Sequence, residues 1–142
     1  MSESAILFLT VDEVIAIHDD TLGGHGGLAG IRDLGLLESA FMMPQAAFGG
    51  QYLHPDIPAM AAAYVFHVCQ AHAFHDGNKR CAVLTGMIFL DNNGFEVTAN
   101  DTQVIALGLG VADGTLNKSD ATTWMHTFSK SVKPSKPGKT RL

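Results

Sequence analysis

AMAAAYVFHVCQAHAFHDGNKRCAVLTGMIFL, residues 59–90, is two apolar runs with a polar knot between them. Ala59 to Cys69 is apolar all round a helix apart from His67, and Cys81 to Leu90 repeats that character. A helix without a polar face belongs inside a bundle, so this stretch predicts two buried central helices. The segment joining them, His72-Ala73-Phe74-His75-Asp76-Gly77-Asn78-Lys79-Arg80, is strongly polar. Polar groups crowded between core helices are unfavourable unless they are partnered or used, which makes the junction the place to look for function.

Working outward, Thr10-Val11-Asp12-Glu13 is a capping box, and Val11, Val14, Ile15 and Ile17 supply the apolar face of a helix ending near Asp20. The glycines at 23, 24, 26, 27 and 30 suit an exposed loop or small hairpin, read as a mobile flap. Asp33 is placed to cap a second helix through Phe41, which Pro44 interrupts before Gly49-Gly50. Downstream, Gly94 ends the second central helix, and Asn100 with Gln103 starts another that runs to Asp113-Gly114. Ser119 or Asp120 opens a last short helix carrying Trp124, Met125 and Phe128. Strand-type alternation is confined to short pieces near Phe95–Thr98 and the glycine-rich loop. The predicted fold is therefore all-α, a compact bundle of about six helices over residues 1–129. Residues 130–142, KSVKPSKPGKTRL, read as a disordered basic tail.

Composition narrows the class. The chain has 142 residues, one domain's length, and its 46% hydrophobic against 16% charged residues exclude a wholly disordered chain. Five of the nine bases lie in the last thirteen residues, so residues 1–129 hold four bases against all fourteen acids. A body so acidic repels phosphate over most of its surface, and no direct nucleic-acid partner is expected. It also makes the neighbouring Lys79 and Arg80 conspicuous. No basic leader and no run long enough to span a bilayer occurs, which predicts a cytoplasmic protein without a membrane partner. Cys69 and Cys81 fall in apolar helical runs without metal-type spacing and read as buried free thiols.

The junction has its own chemistry. Asp76-Gly77-Asn78 stands where a helix begins, so first-turn amides lacking intrahelical acceptors face outward with the positive end of the dipole. Gly77 admits close approach to the backbone, the Asn78 amide can donate, and Lys79 and Arg80 bring two cations to the same turn. This is a cradle for a di- or triphosphate. Asp76 is a hard oxygen ligand of the kind Mg²⁺ takes along with substrate phosphates. His72 can take a proton from an attacking hydroxyl near neutral pH. The chemistry predicted is transfer from a nucleotide phosphate to a hydroxyl. Taken singly, each residue also has a structural reading: Asp76 and Asn78 as helix caps, His72 as an interior histidine, Lys79 and Arg80 as a solvated face.

HAFHDGNKR resembles the signature of the Fic/Doc family, HxFx(D/E)GNxxR, in the form HxFxDGNKR seen in its death-on-curing (Doc) branch. LTVDEVIAIHDD at 9–20, GIRDLGLLESAFMMPQAAFGG at 30–50 and FLDNNGF at 89–95 resemble that branch at the same spacing, so the likeness covers roughly residues 7–128. The resemblance implies a Fic fold with the signature loop joining the central helices. It implies His72 as general base, Phe74 as a core anchor, Asp76 as Mg²⁺ ligand, Gly77, Asn78 and Lys79 as the anion-binding turn, and Arg80 as holder of ATP phosphate. His75 falls at a position the family leaves open. The glycine-rich stretch resembles the flap that aligns the target.

Two departures separate the chain from adenylylating Fic proteins: Lys79 stands where they have glycine, and Val83 where they have a second arginine. In the Doc branch these go with transfer of the γ-phosphoryl group rather than AMP, so the resemblance implies a protein kinase with elongation factor Tu as its target. The inhibitory motif (S/T)xxxE(G/N) does not occur in the chain, which implies restraint by a cognate antitoxin of a type II toxin-antitoxin system. Three alternatives stand beside this reading. One is an AMP-transferring Fic enzyme, and another is a non-catalytic module that binds antitoxin or nucleotide. The third is a metal-dependent phosphohydrolase built on the dipeptide His75-Asp76 with His54, His67 and Asp101.

Overall fold

The two apolar runs fold as helices, and the polar knot is the loop between them. The computed structural model describes residues 5–21, 31–75 and 77–132. Among the described residues six α-helices follow one another: α1 (Val11–Thr21), α2 (Leu34–Met42), α3 (Ile57–Ala71), α4 (Asn78–Asn92), α5 (Asp101–Asp113) and α6 (Lys118–Thr127). Four short strands accompany them: β1 (Ala47–Phe48), β2 (Gln51–Tyr52), β3 (Phe95–Val97) and β4 (Ser129–Ser131). The all-α expectation holds, with about the number of helices expected. The glycine-rich flap at 23–30 lies outside the described residues.

Most helices begin where local chemistry says they must. Thr10 and Glu13 bond reciprocally, Thr10 N–H to Glu13 Oε1 at 2.7 Å and Glu13 N–H to Thr10 Oγ1 at 3.2 Å. The Asp33 carboxylate accepts from Leu36 N–H at 3.0 Å, and that of Asp56 from Ala59 N–H at 2.9 Å. Asn100 and Gln103 complete a second capping box. The start of α6 corrects the expectation of Ser119 or Asp120: Asn117 is its N-cap, and Asp120 is the third helical residue of a capping box with it. Spacing alone allows either acid or amide to lead, and the box geometry selects Asn117.

Helices α3 and α4 form the centre, packed more extensively on each other than any other pair. They run antiparallel. Gly86 of α4 faces Ala61 and Val65 of α3, and a Cβ there would stand 2.5 Å from Val65 Cγ2 and 3.1 Å from the Ala61 carbonyl oxygen. Glycine is what lets the two helices approach this closely. Tyr64 meets Phe41 and Phe89 at tilted angles in the core between the two helices and α2, and Phe8 stacks on Phe89. The Tyr64 hydroxyl accepts from Leu9 N–H at 3.0 Å, and burial pushes its pKa up to about 12. Cys69 and Cys81 are buried free thiols, as expected, and burial raises both, Cys81 to about 12.

The strands correct the reading in detail. β1 and β2 pair across Gly49-Gly50, whose φ angles of 60° and 83° make the two-residue turn that hairpins favour. β3 falls where alternation suggested it, and pairs with β4 in the register Phe95↔Ser131, Glu96↔Lys130, Val97↔Ser129. Lys130 and Ser131 are thus held in a ribbon, whereas the sequence places them in the tail. Backbone pairing needs no particular side chain, so composition does not announce it. Among the described residues no helix is long and apolar enough to cross a membrane.

Candidate functional site

The site is the loop from His72 to Gly77 and the first turn of α4. Helix α3 ends at Ala71, and His72 caps it in the left-handed conformation, φ 48° and ψ 43°. It is the one non-glycine residue with positive φ among those described. A side chain in this region costs roughly 1–2 kcal/mol, so surrounding contacts must hold it. They are visible. Arg32 donates through Nε at 2.8 Å, and through Nη2 as well, to the His72 carbonyl oxygen. The next carbonyl, of Ala73, accepts from the N–H groups of Arg32 at 2.7 Å and Asp33 at 3.0 Å, and Ile31 bridges to Phe74.

Phe74 is the buried anchor expected, 1% exposed. Its ring stacks on the buried imidazole of His18, with centroids 3.7 Å apart and planes 8° from parallel. Its backbone is held by Asn78, whose Oδ1 accepts from Phe74 N–H at 3.0 Å and whose Nδ2 donates to the Phe74 carbonyl at 2.7 Å. The Asn78 side-chain amide is therefore committed to closing the loop. What Asn78 offers an anion is its backbone N–H in the first turn of α4, where the helix dipole favours negative charge.

Gly77 is the N-cap of α4 at φ 77°, a conformation that favours glycine. His72, Lys79 and Arg80 are all exposed at this end of the central pair. The Lys79 stem runs toward α5, where a Cβ on Gly108 would meet Lys79 Cγ at 3.2 Å. Beyond it, bonds from Thr115, then Lys79, hold the Asp113 carboxyl below its ordinary value. Lys79, Arg80, Val83 and Leu84 of α4 face Ile105 and Leu109 of α5 across a cavity of about 410 Å³. Val83 thus presents an apolar wall beside the cationic turn. Asp76, expected to hold Mg²⁺, lies outside the described residues. The structure brings His72, Gly77, Asn78, Lys79 and Arg80 to one end of the α3–α4 pair.

Sequence reasoning missed Arg32. Arg32 is among the few bases outside the tail, and that scarcity was the available signal. His18 packs, which is the ordinary fate of a histidine on an apolar helix face. His54 and His67 do converge, but on Lys118, whose Nζ lies 3.2 and 3.1 Å from their Nε2 atoms. An ammonium only donates, so both rings accept from it at those nitrogens. Burial, then Lys118 and His54, lower His67 to about 4; burial and Lys118 lower His54 as well. Among the described residues no three His, Cys, Asp or Glu side chains gather as a metal site. The phosphohydrolase alternative is left without a ligand set there. His126 bonds Asp56 Oδ2 at 2.9 Å, tying α6 to the cap of α3.

Comparison with known proteins bears on this geometry. The model of a family described as Fic/DOC matches residues 8–90, which include the whole junction. Protein kinase doc of Escherichia phage P1 is 31% identical over 111 residues, covering 78% of this chain and 86% of that protein. Toxin Doc of Mycolicibacterium smegmatis is 39% identical over 75 residues, covering 53% of this chain and 58% of that protein.

Proposed function

Because the chain belongs to the Fic/DOC family, we propose that it is the toxin of a toxin-antitoxin pair and a protein kinase. It transfers the γ-phosphoryl group of ATP to a hydroxyl of elongation factor Tu and so arrests translation. The observation that carries this reading is the placing of an exposed histidine at the end of α3 beside the cationic first turn of α4, with Val83 where a further arginine would favour AMP transfer. The names of the two relatives, a kinase and a toxin, support it.

The reaction follows from these residues. The target's hydroxyl oxygen attacks the γ-phosphorus, the bond to the β–γ bridging oxygen breaks, and ADP leaves. The hydroxyl proton passes to the His72 imidazole. The α4 amides, Lys79 and Arg80 offset negative charge on the phosphates, and the helix fixes the direction of the amides before substrate arrives. Asp76, between His75 and the N-cap Gly77, supplies the hard carboxylate oxygens that Mg²⁺ takes together with phosphate. Bound there, Mg²⁺ would neutralise phosphate charge. Restraint comes from an antitoxin chain that folds against the toxin.

The test is transfer from ATP labelled at either the α- or the γ-phosphate to purified elongation factor Tu with Mg²⁺, using His72→Ala as control. Label from γ alone, lost in the variant, is expected. Label from α would make the protein an adenylyltransferase, and no transfer from either would remove elongation factor Tu as its target.

A further inference from the structure

We infer that Arg32 is a positioning residue for His72: its guanidinium holds the His72 peptide in the orientation that aims the imidazole at the attacking hydroxyl. The inference rests on the reading of His72 as the base, and deepens it.

His72 is left-handed, the only non-glycine residue so placed among those described. Histidine enters that region more readily than most side chains, yet still at a cost relative to glycine, and the conformation alone does not fix where the ring points. The peptide that follows is held from outside by a fork of two guanidinium N–H donors on one carbonyl oxygen. Such charge-assisted bonds are shorter and stronger than neutral ones, and only arginine presents two donors in a rigid plane. The chain that carries the fork is itself anchored. Arg32 and Asp33 N–H groups hold the Ala73 carbonyl, and the Asp33 side chain caps α2 through Leu36 N–H. The contact spans forty positions of sequence. A chain with four bases outside its tail has spent one of them on a backbone carbonyl beside its proposed base, and a solvated surface role would not require that geometry.

Orientation of a catalytic group matters steeply, since a misplacement of about 1 Å can cost on the order of a hundredfold in rate. Arg32 does not touch the reacting atoms in this account, so its loss should act on turnover and leave nucleotide binding alone.

The experiment compares the full-length wild type with Arg32→Gln and Arg32→Lys. Phosphorylation of elongation factor Tu is followed with γ-labelled ATP, and NMR is recorded on histidine-labelled protein. Arg32→Gln is expected to lower kcat about tenfold or more with KM for ATP within about twofold. Arg32→Lys, which restores one charged donor, should recover part of the loss. The His72 ring signals should shift or broaden while those of His54 and His67 stay in place. A raised KM for ATP at unchanged kcat would assign Arg32 to the nucleotide phosphates and overturn the proposal. Unchanged His72 signals in a folded variant would overturn it too. If Arg32→Gln does not fold, Arg32→Lys carries the same comparison. If His72→Ala retains full transfer, the reading of His72 as base fails by itself, and the ring signals still decide whether Arg32 holds the residue.

Discussion

At the scale of single residues, Asn78 shows how a polar side chain can serve a ligand site without facing the ligand. Both ends of its amide are bonded to the backbone of buried Phe74, a small clasp that fixes the distance between His72 and the first turn of α4. Asn78→Ala would leave a peptide N–H and C=O next to a buried ring without their partners, a loss on the order of 1–3 kcal/mol. We expect a lower melting temperature and faster hydrogen exchange at the Phe74 amide. An unchanged exchange rate would mean that the clasp holds nothing. Asn78→Asp keeps the acceptor and loses the donor, and should fall between. The residue types at the junction were legible because a glycine, cations and a histidine together between apolar helices have few other uses. The use of Asn78 was not legible, since the amide that can meet an anion can equally meet a peptide four residues back, and only the closed loop shows which it does.

At the scale of elements, the α3–α4 pair is set by Gly86. An added methyl would stand 2.5 Å from Val65 Cγ2 and 3.1 Å from the Ala61 carbonyl oxygen, and Val65 is fully buried. Alanine gains roughly 1 kcal/mol in helix propensity over glycine, but overpacking a tight core costs about 1–3 kcal/mol. We therefore expect Gly86→Ala to destabilise the protein in denaturant unfolding and to spread the two helices at their middle. An equal or higher unfolding midpoint would show that Val65 can yield. Helix positions were largely readable because caps such as Thr10, Asp33, Asp56 and Asn100 act within one turn of themselves. The hairpin at 47–52 and the strand β4 that captures Lys130 were not, because two-residue strands and the wholly polar Ser129–Ser131 carry no apolar alternation to register.

At the scale of the whole molecule, α3, α6 and the segment after β2 meet at Lys118, with His54 and His67 both turned to its ammonium. Burial is the first cause of the low His67 pKa, about 4 against an ordinary 6.5, and the Lys118 charge the second. As pH falls, the unfolded chain therefore takes up this proton before the folded one. The stability that depends on a neutral His67 is complete above about pH 6.5 and is lost progressively down to about pH 4. His54, lowered for the same leading reason, adds in the same direction. Unfolding free energy measured between pH 7 and 4 should fall, and Lys118→Met should raise the pH at which the His67 ring titrates by NMR. A flat profile would contradict the arrangement.

The order of helices, the buried central pair and the set of chemical groups at their junction follow from sequence alone, because helical hydrogen bonds, caps and apolar periodicity act within a few residues. Which partner each polar group takes is a tertiary matter. Arg32 reaches His72 from forty positions away, His18 reaches Phe74, and Lys118 reaches two histidines on other elements. No local spacing encodes those choices. They depend on how close the packed helices bring side chains that the chain keeps far apart, and on the cost of leaving any of them buried without a partner.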